Sequence, residues 1–459
     1  MLSYTKINRL NPNKRDVMQR IKDFDEVYEV VDHKQASEQA DRCMQCGDPY
    51  CHTKCPLHNF IPAWLKSVSQ RDLPLAFALS NETSPFPEIL GKICPHDVLC
   101  EGDCSLNDGH GAIAIGSIET HITENAFEAG LTPKFASSKI GKSVAIVGSG
   151  PAGISAATFL LRAGVDVTMY ERAARAGGLF TYGIPGFKLD KDKVQRRIDL
   201  LIDAGMKLEL NCEIGKDVEF EKLEQDNDAV FIGIGATKGR FAGLEGENVS
   251  NIHLAMEFLT KIQQRNFGED VQNLIDVRDK KVVVIGGGDT AMDCVRTSVR
   301  EKAQSVKCLY RRDEANMPGS KKEVANAKEE GVEFVFNVSP KSIASKNGAV
   351  SAVELLQTTL SDPDESGRQR VVLVDGSQYL EDADIVIYAL GFDPEVPAFI
   401  QNANLELDRW DGIKVNENYQ TSNAKIYSGG DSVRGADLAV TAAFDGREAA
   451  KKMVEEFTS

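Results

Sequence analysis

A glycine-rich turn that occurs twice sets the tightest limit on what this chain can fold into. Residues 144–147 form a short apolar run that reads as a buried parallel strand. The run leads directly into Gly148-Ser-Gly150-Pro151-Ala152-Gly153, an apolar helix over 154–161 and a second strand over 165–170. The same order returns as a strand at 282–285, the turn Gly286-Gly287-Gly288-Asp289-Thr290-Ala291, a helix over 290–300 and a strand over 306–310. Each is a βαβ pattern. Two of them in one chain mean two nucleotide sites or one duplicated fold.

The glycines have separate tasks. The first permits the tight turn, the second lets the backbone approach a pyrophosphate, and the third lets helix and strand pack closely. The helix N-terminus then offers unpaired N–H groups and its positive dipole end to the phosphates. The two second strands end in opposite chemistry. The first ends at Glu171, whose carboxylate suits ribose hydroxyls. The second runs into Arg311 and Arg312, where guanidinium groups suit the 2′-phosphate of NADP and a carboxylate would repel it. These unlike ends predict FAD at the first site and NADP(H) at the second. A late glycine pair ending a strand, Gly429-Gly430 followed by Asp431, fits an approach to the flavin's ribityl-phosphate part.

Seven of the ten cysteines fall before residue 105. Cys43, Cys46, Cys51 and Cys55 follow C-x2-C-x4-C-x3-C, and Cys94, Cys100 and Cys104 follow C-x5-C-x3-C. Clustered thiolates are the usual ligands of iron–sulfur clusters, and both Cys55 and Cys94 precede proline, as does the cross-ligating cysteine of ferredoxin runs. The spacing therefore suggests two clusters sharing cysteines from both blocks, with an eighth ligand still to be found. Zinc is the alternative, since C-x2-C also occurs in zinc sites and His52, His58 and His96 lie nearby. A structural zinc would give a flavin enzyme no electron path. Cys212, Cys294 and Cys308 read as ordinary buried thiols.

The chain has 459 residues, 42% of them hydrophobic, enough for several domains with substantial cores. A formal net charge of −16 argues against nucleic acid or an anionic membrane as partner. No apolar run approaches the roughly 18 residues of a membrane span, and the N-terminus lacks a signal-peptide core. The expected setting is cytoplasmic, where thiols stay reduced. The expected architecture is α/β: a helical iron–sulfur domain over 1–138, then two Rossmann-like domains. FAD is assigned to 139–255 with 386–459, and NADPH to an inserted 256–385.

Several of these elements together resemble the small (β) subunit family of bacterial NADPH-dependent glutamate synthase. They are Arg42-Cys43-Met-Gln-Cys46-Gly with Cys51-His and Cys55-Pro-Leu, the turns GSGPAG and GGGDTA, Gly178-Leu179 with Gly183-Ile184-Pro185, and Tyr310-Arg311-Arg312 with Met317-Pro318. Dihydropyrimidine dehydrogenase and bifurcating NADP–ferredoxin oxidoreductases share parts of the set. The resemblance implies two cross-ligated [4Fe–4S] clusters. Cys43, Cys46, Cys51 and Cys104 would hold one; Cys55, Cys94, Cys100 and Glu119 would hold the other. It also implies that Gly178, Leu179, Lys188 and Asp431 meet FAD and that Ala389-Leu390-Gly391 lies near NADP. The implied activity takes a hydride from NADPH to FAD and sends electrons through the clusters to a large FMN-containing subunit. That partner makes glutamate from glutamine and 2-oxoglutarate. An NADPH:ferredoxin or sulfur oxidoreductase is the competing enzyme, and an iron–sulfur redox sensor the competing non-enzyme.

Replacing Arg311 and Arg312 together by Glu is expected to weaken NADPH use and favour NADH. Steady-state kinetics with both nucleotides checks this, and unchanged discrimination would sink the assignment.

Overall fold

The computed structural model describes residues 3–365 and 369–459. Its first quarter is helical: α1 (His33–Asp41), α2 (Ile61–Ser69), α3 (Leu73–Thr83), α4 (Pro87–Ile93) and α5 (Ile115–Glu128). Local chemistry sets their starts. Asp32 caps α1 by accepting the Gln35 N–H at 2.7 Å, and Asp72 caps α3 at Leu75. Pro87 opens α4 where no N–H is needed. Ile115, Ile118, Ile122 and Ala126 form one stripe of α5, packed against Trp64 and Leu65 of α2 and Phe77 of α3.

Two parallel sheets follow. The first contains β1 (Ser143–Val147), β2 (Asp166–Tyr170), β3 (Lys207–Glu209) and β4 (Ala229–Ile232), with α6 (Pro151–Arg162) and α7 (Lys191–Asp203) between them. The second contains β5 (Ile252–Leu254), β6 (Lys281–Ile285), β7 (Ser305–Tyr310), β8 (Glu333–Phe336) and β13 (Ile385–Tyr388), with α8 (Ala255–Asn266), α9 (Asp289–Arg300) and α10 (Lys321–Glu329). Between β8 and β13 an antiparallel ribbon intervenes: β9 (Val338–Lys346), β10 (Ala349–Leu360), β11 (Val371–Leu373) and β12 (Tyr379–Asp382). Finally β14 (Ile426–Ser428) returns to the first sheet and α11 (Ala439–Thr458) lies against α6.

The strand orders are β14-β4-β1-β2-β3 and β5-β13-β6-β7-β8, all parallel. Each glycine turn follows the middle strand, β1 or β6, where the strand order reverses. Ligands of such sheets bind there. The chain crosses between the units at a short antiparallel pair, Lys238–Gly239 with Phe392–Asp393. The expected crossings near 255 and 386 instead fall beside or within strands of the second sheet. Three residues of β5 give too little periodicity to mark them.

Ion pairs join the units. Arg197 on α7 meets Glu88 on α4 through two contacts, Nε–Oε1 at 2.7 Å and Nη2–Oε2 at 2.6 Å, with both side chains fully buried. Arg447 on α11 donates to the carbonyls of Leu57 (2.8 Å) and Thr83 (3.0 Å). Arg20, from the N-terminal segment, joins Arg296 and Arg300 of α9 on Glu330. Removing one partner of a buried pair leaves an uncompensated charge. Glu88→Ala is expected to cost about 3–5 kcal/mol in denaturant unfolding. A loss under about 1 kcal/mol would mean water reaches Arg197.

Candidate functional site

A cleft of about 760 Å³ opens at the C-terminal edge of the first sheet. Gly148, Gly150, Pro151 and Ala152 line one end of it, with Glu171, Gly178 and Leu179 beside them. Gly148 has φ +99°, and a Cβ there would press on the Gly233 carbonyl. Gly153 lies under the turn, where a Cβ would overlap the Gly148 carbonyl. Gly150 differs: a Cβ would meet no protein atom within 4 Å, so its Cα faces the cleft itself. This is a cradle that a side chain would fill, which fits a closely held pyrophosphate at the start of α6. The Glu171 carboxylate accepts from the Ser149 N–H (3.2 Å) and hydroxyl, and from the Ala173 N–H (2.8 Å), which fixes it at the rim.

The second unit supplies Asp289, Thr290 and Asp293 to the same cleft. Gly286, Gly287, Gly288 and Ala291 form the matching turn at the edge of the second sheet, outside the cleft. Gly286 packs on Ala389 and Gly287 on the Tyr310 ring. Leu390 and Gly391 continue from there, and Gly391 accepts the Arg240 N–H at 3.3 Å. Gly288, like Gly150, has open space where a Cβ would point. Arg311 is exposed and Arg312 half-buried at the end of β7. Among the described residues neither makes an ion pair, and the buried Arg312 Nε has no partner. Arg312 Nη2 donates to the Gln369 carbonyl at 3.1 Å, which leaves Nε free, and guanidinium groups without a carboxylate partner fit an anion.

Lys188 and Asp431 also line the cleft. Burial pushes the Asp431 carboxyl up to about 7. Gly430, beside it, has φ +76° and donates its N–H to Asp445 at 2.9 Å.

The cysteines divide into two sets. Cys43, Cys46, Cys51 and Cys104 surround one small cavity with Met44, Tyr50, Leu65 and Ile115; Cys55, Cys94, Cys100 and Glu119 surround another with Asn59, His96, Ile115 and Val440. His52 and His58 lie outside both. Neither wall contains Lys or Arg. Burial pushes the Cys51 thiol up to about 12 and raises Cys94 and Cys100 well above the usual thiol range. It also pushes the Glu119 carboxyl up to about 8, although Asn59 donates to it at 2.8 Å. Such donors need a cation's charge to ionise together, which a metal centre supplies. Four thiols around one cavity, and three thiols with a carboxylate around the other, give each the four-donor set that a [4Fe–4S] cluster takes.

The three spaces adjoin. Cys94 and Val440 line both the cleft and the second thiol cavity, and Ile115 lines both thiol cavities. Sequence reasoning missed Asn59, Ser149 and Asp293. Only Asp293 left a signal there, four residues after Asp289 and therefore on the same face of α9.

Comparison with known proteins agrees with this layout. Residues 20–131 match the family model described as dihydropyrimidine dehydrogenase domain II, 4Fe-4S cluster, and residues 142–446 match pyridine nucleotide-disulphide oxidoreductase. The NADPH-dependent glutamate synthase small chain of Escherichia coli K12 is 47% identical over 97% of this chain and 96% of its own. That of Halomonas elongata is 44% identical over 98% and 96%. Among solved structures, Mycobacterium tuberculosis FprA in complex with NADPH superposes with a TM-score of 0.59, covering 69% of this chain and 84% of that one, at 21% identity. This last likeness is one of fold. A thiol-lined helical unit ahead of two Rossmann-like units, and near full-length identity above 40%, place the chain in the glutamate synthase [NADPH] small-chain family.

Proposed function

We propose that this chain is the NADPH-oxidising, electron-input subunit of a glutamate synthase, acting from the cytoplasm on a large FMN-containing subunit. The observation that carries the reading is the unbroken series of cleft, second thiol cavity and first thiol cavity, joined through Cys94, Val440 and Ile115. When bound, FAD accepts a hydride from NADPH and [4Fe–4S] clusters carry single electrons onward.

The chain's own residues bind, orient and exclude water. The Gly148–Gly153 turn and the N-terminus of α6 hold a pyrophosphate, and Glu171 accepts from ribose hydroxyls. The turn at Gly286–Gly288 holds the second pyrophosphate, with Arg311 and Arg312 on a 2′-phosphate. Cys43, Cys46, Cys51 and Cys104 would hold one cluster, and Cys55, Cys94, Cys100 and Glu119 the other. The leucines, isoleucines and prolines of both thiol cavities keep water from the sulfurs. Hydride transfer between stacked rings needs orientation more than an acid or base, so no side chain is assigned a proton-transfer role.

The experiment is anaerobic tagged purification from the native cell, followed by assay with NADPH, glutamine and 2-oxoglutarate. A large FMN-containing partner and glutamate formation are expected. A ferredoxin partner with no glutamate would move the chain to the ferredoxin-linked oxidoreductases. Gly150→Val should fold, since a Cβ there meets no protein atom within 4 Å, yet release FAD. Full flavin occupancy in that variant, read by absorbance, would contradict the first nucleotide site.

A further inference from the structure

Lys188 and Asp293 come from different units and meet in the cleft. Lys188 follows the 183–187 loop of the first unit, and Asp293 stands on α9 of the second, one turn beyond Asp289. Lys188 Nζ lies 2.9 Å from Asp293 Oδ1, with side-chain exposures of 11% and 7%. Among the described residues Asp293 is the one carboxylate within ion-pair distance of Lys188. The carboxyls of Asp289 and Glu323 act on the ammonium from further away.

Charge in a low-dielectric cleft acts strongly on whatever is held there. A lone ammonium would stabilise the electron-rich form of a bound redox ring, and a carboxylate beside it offsets that pull. We propose that Asp293 is a positioning residue that acts through Lys188, neutralising and fixing that ammonium where the two nucleotide-binding units meet, and thereby setting the reduction potential of the flavin the cleft binds. The inference rests on the assignment of FAD to this cleft.

The test is the potential of the bound flavin, measured by anaerobic spectroelectrochemistry on the purified protein. Asp293→Asn leaves the Lys188 charge uncompensated. It should favour reduced flavin about tenfold at a fixed potential, which for a two-electron couple is about 30 mV upward. Lys188→Met leaves the carboxylate and should shift the couple about as far the other way. The double variant should lie between them, near wild type. Opposite signs from the two single variants are what a merely structural contact would not produce. If Asp293→Asn fails to fold, Asp293→Ala carries the same sign of shift. Flavin held at full occupancy, with the reduced-to-oxidised ratio at a fixed potential changed less than about threefold in both single variants, overturns this inference alone. Wild-type protein that binds no flavin overturns the cofactor assignment beneath it.

Discussion

Everything about this molecule as a conductor depends on one buried ion pair, Arg197 with Glu88. Glu88 stands in the first turn of α4, where a carboxylate also meets the positive end of the helix dipole. Cys94 follows directly at the end of that helix, and it lines both the cleft and the second thiol cavity. Gripping Glu88 from α7 therefore sets where Cys94 stands against the flavin-binding unit. Arg447 does the same from α11. Its bonds tie the Leu57 carbonyl, two residues after Cys55, and the Thr83 carbonyl at the end of α3. Two arginines of one unit thus locate two thiols of another.

The two βαβ units share strand order and turn position, so their difference lies in what ends the second strand. In the first, a buried carboxylate is tied to its own glycine turn through Ser149. In the second, among the described residues, the arginines stand free of carboxylates. One backbone frame carries both, because the sheet edge fixes where phosphates sit and leaves ribose recognition to a single strand end.

Legibility followed the range of the interactions. The glycine turns were readable because their requirements are local: a positive φ at Gly148, a close approach at Gly153, an open face at Gly150. The division of cysteines was not readable from spacing. Cys104 lines the cavity of Cys43, Cys46 and Cys51 because the loops before α5 fold it back. The antiparallel ribbon carries a local signal at its hairpin in Asn347-Gly348, both at positive φ. Arg197 and Arg447 could not be told from surface arginines on amphipathic helices, since what buries them lies more than a hundred residues away.

The same distribution explains how three units keep one arrangement. Each has its own apolar core, around Trp64, around Phe231 and around Phe258. Where the units meet, charge is concentrated. Glu26 takes both Lys92 of α4 and Lys193 of α7 at 2.6 Å, while Glu330 takes three arginines from two segments. Buried pairs add little net stability over well-packed apolar contacts, because desolvation offsets most of their attraction. Their effect is on geometry. An apolar face can slide and still bury its area, but a displaced charge is left unpaired in a dry interior. An electron relay tolerates little slack between its sites. Joints that penalise misplacement so heavily suit it better than joints that merely adhere.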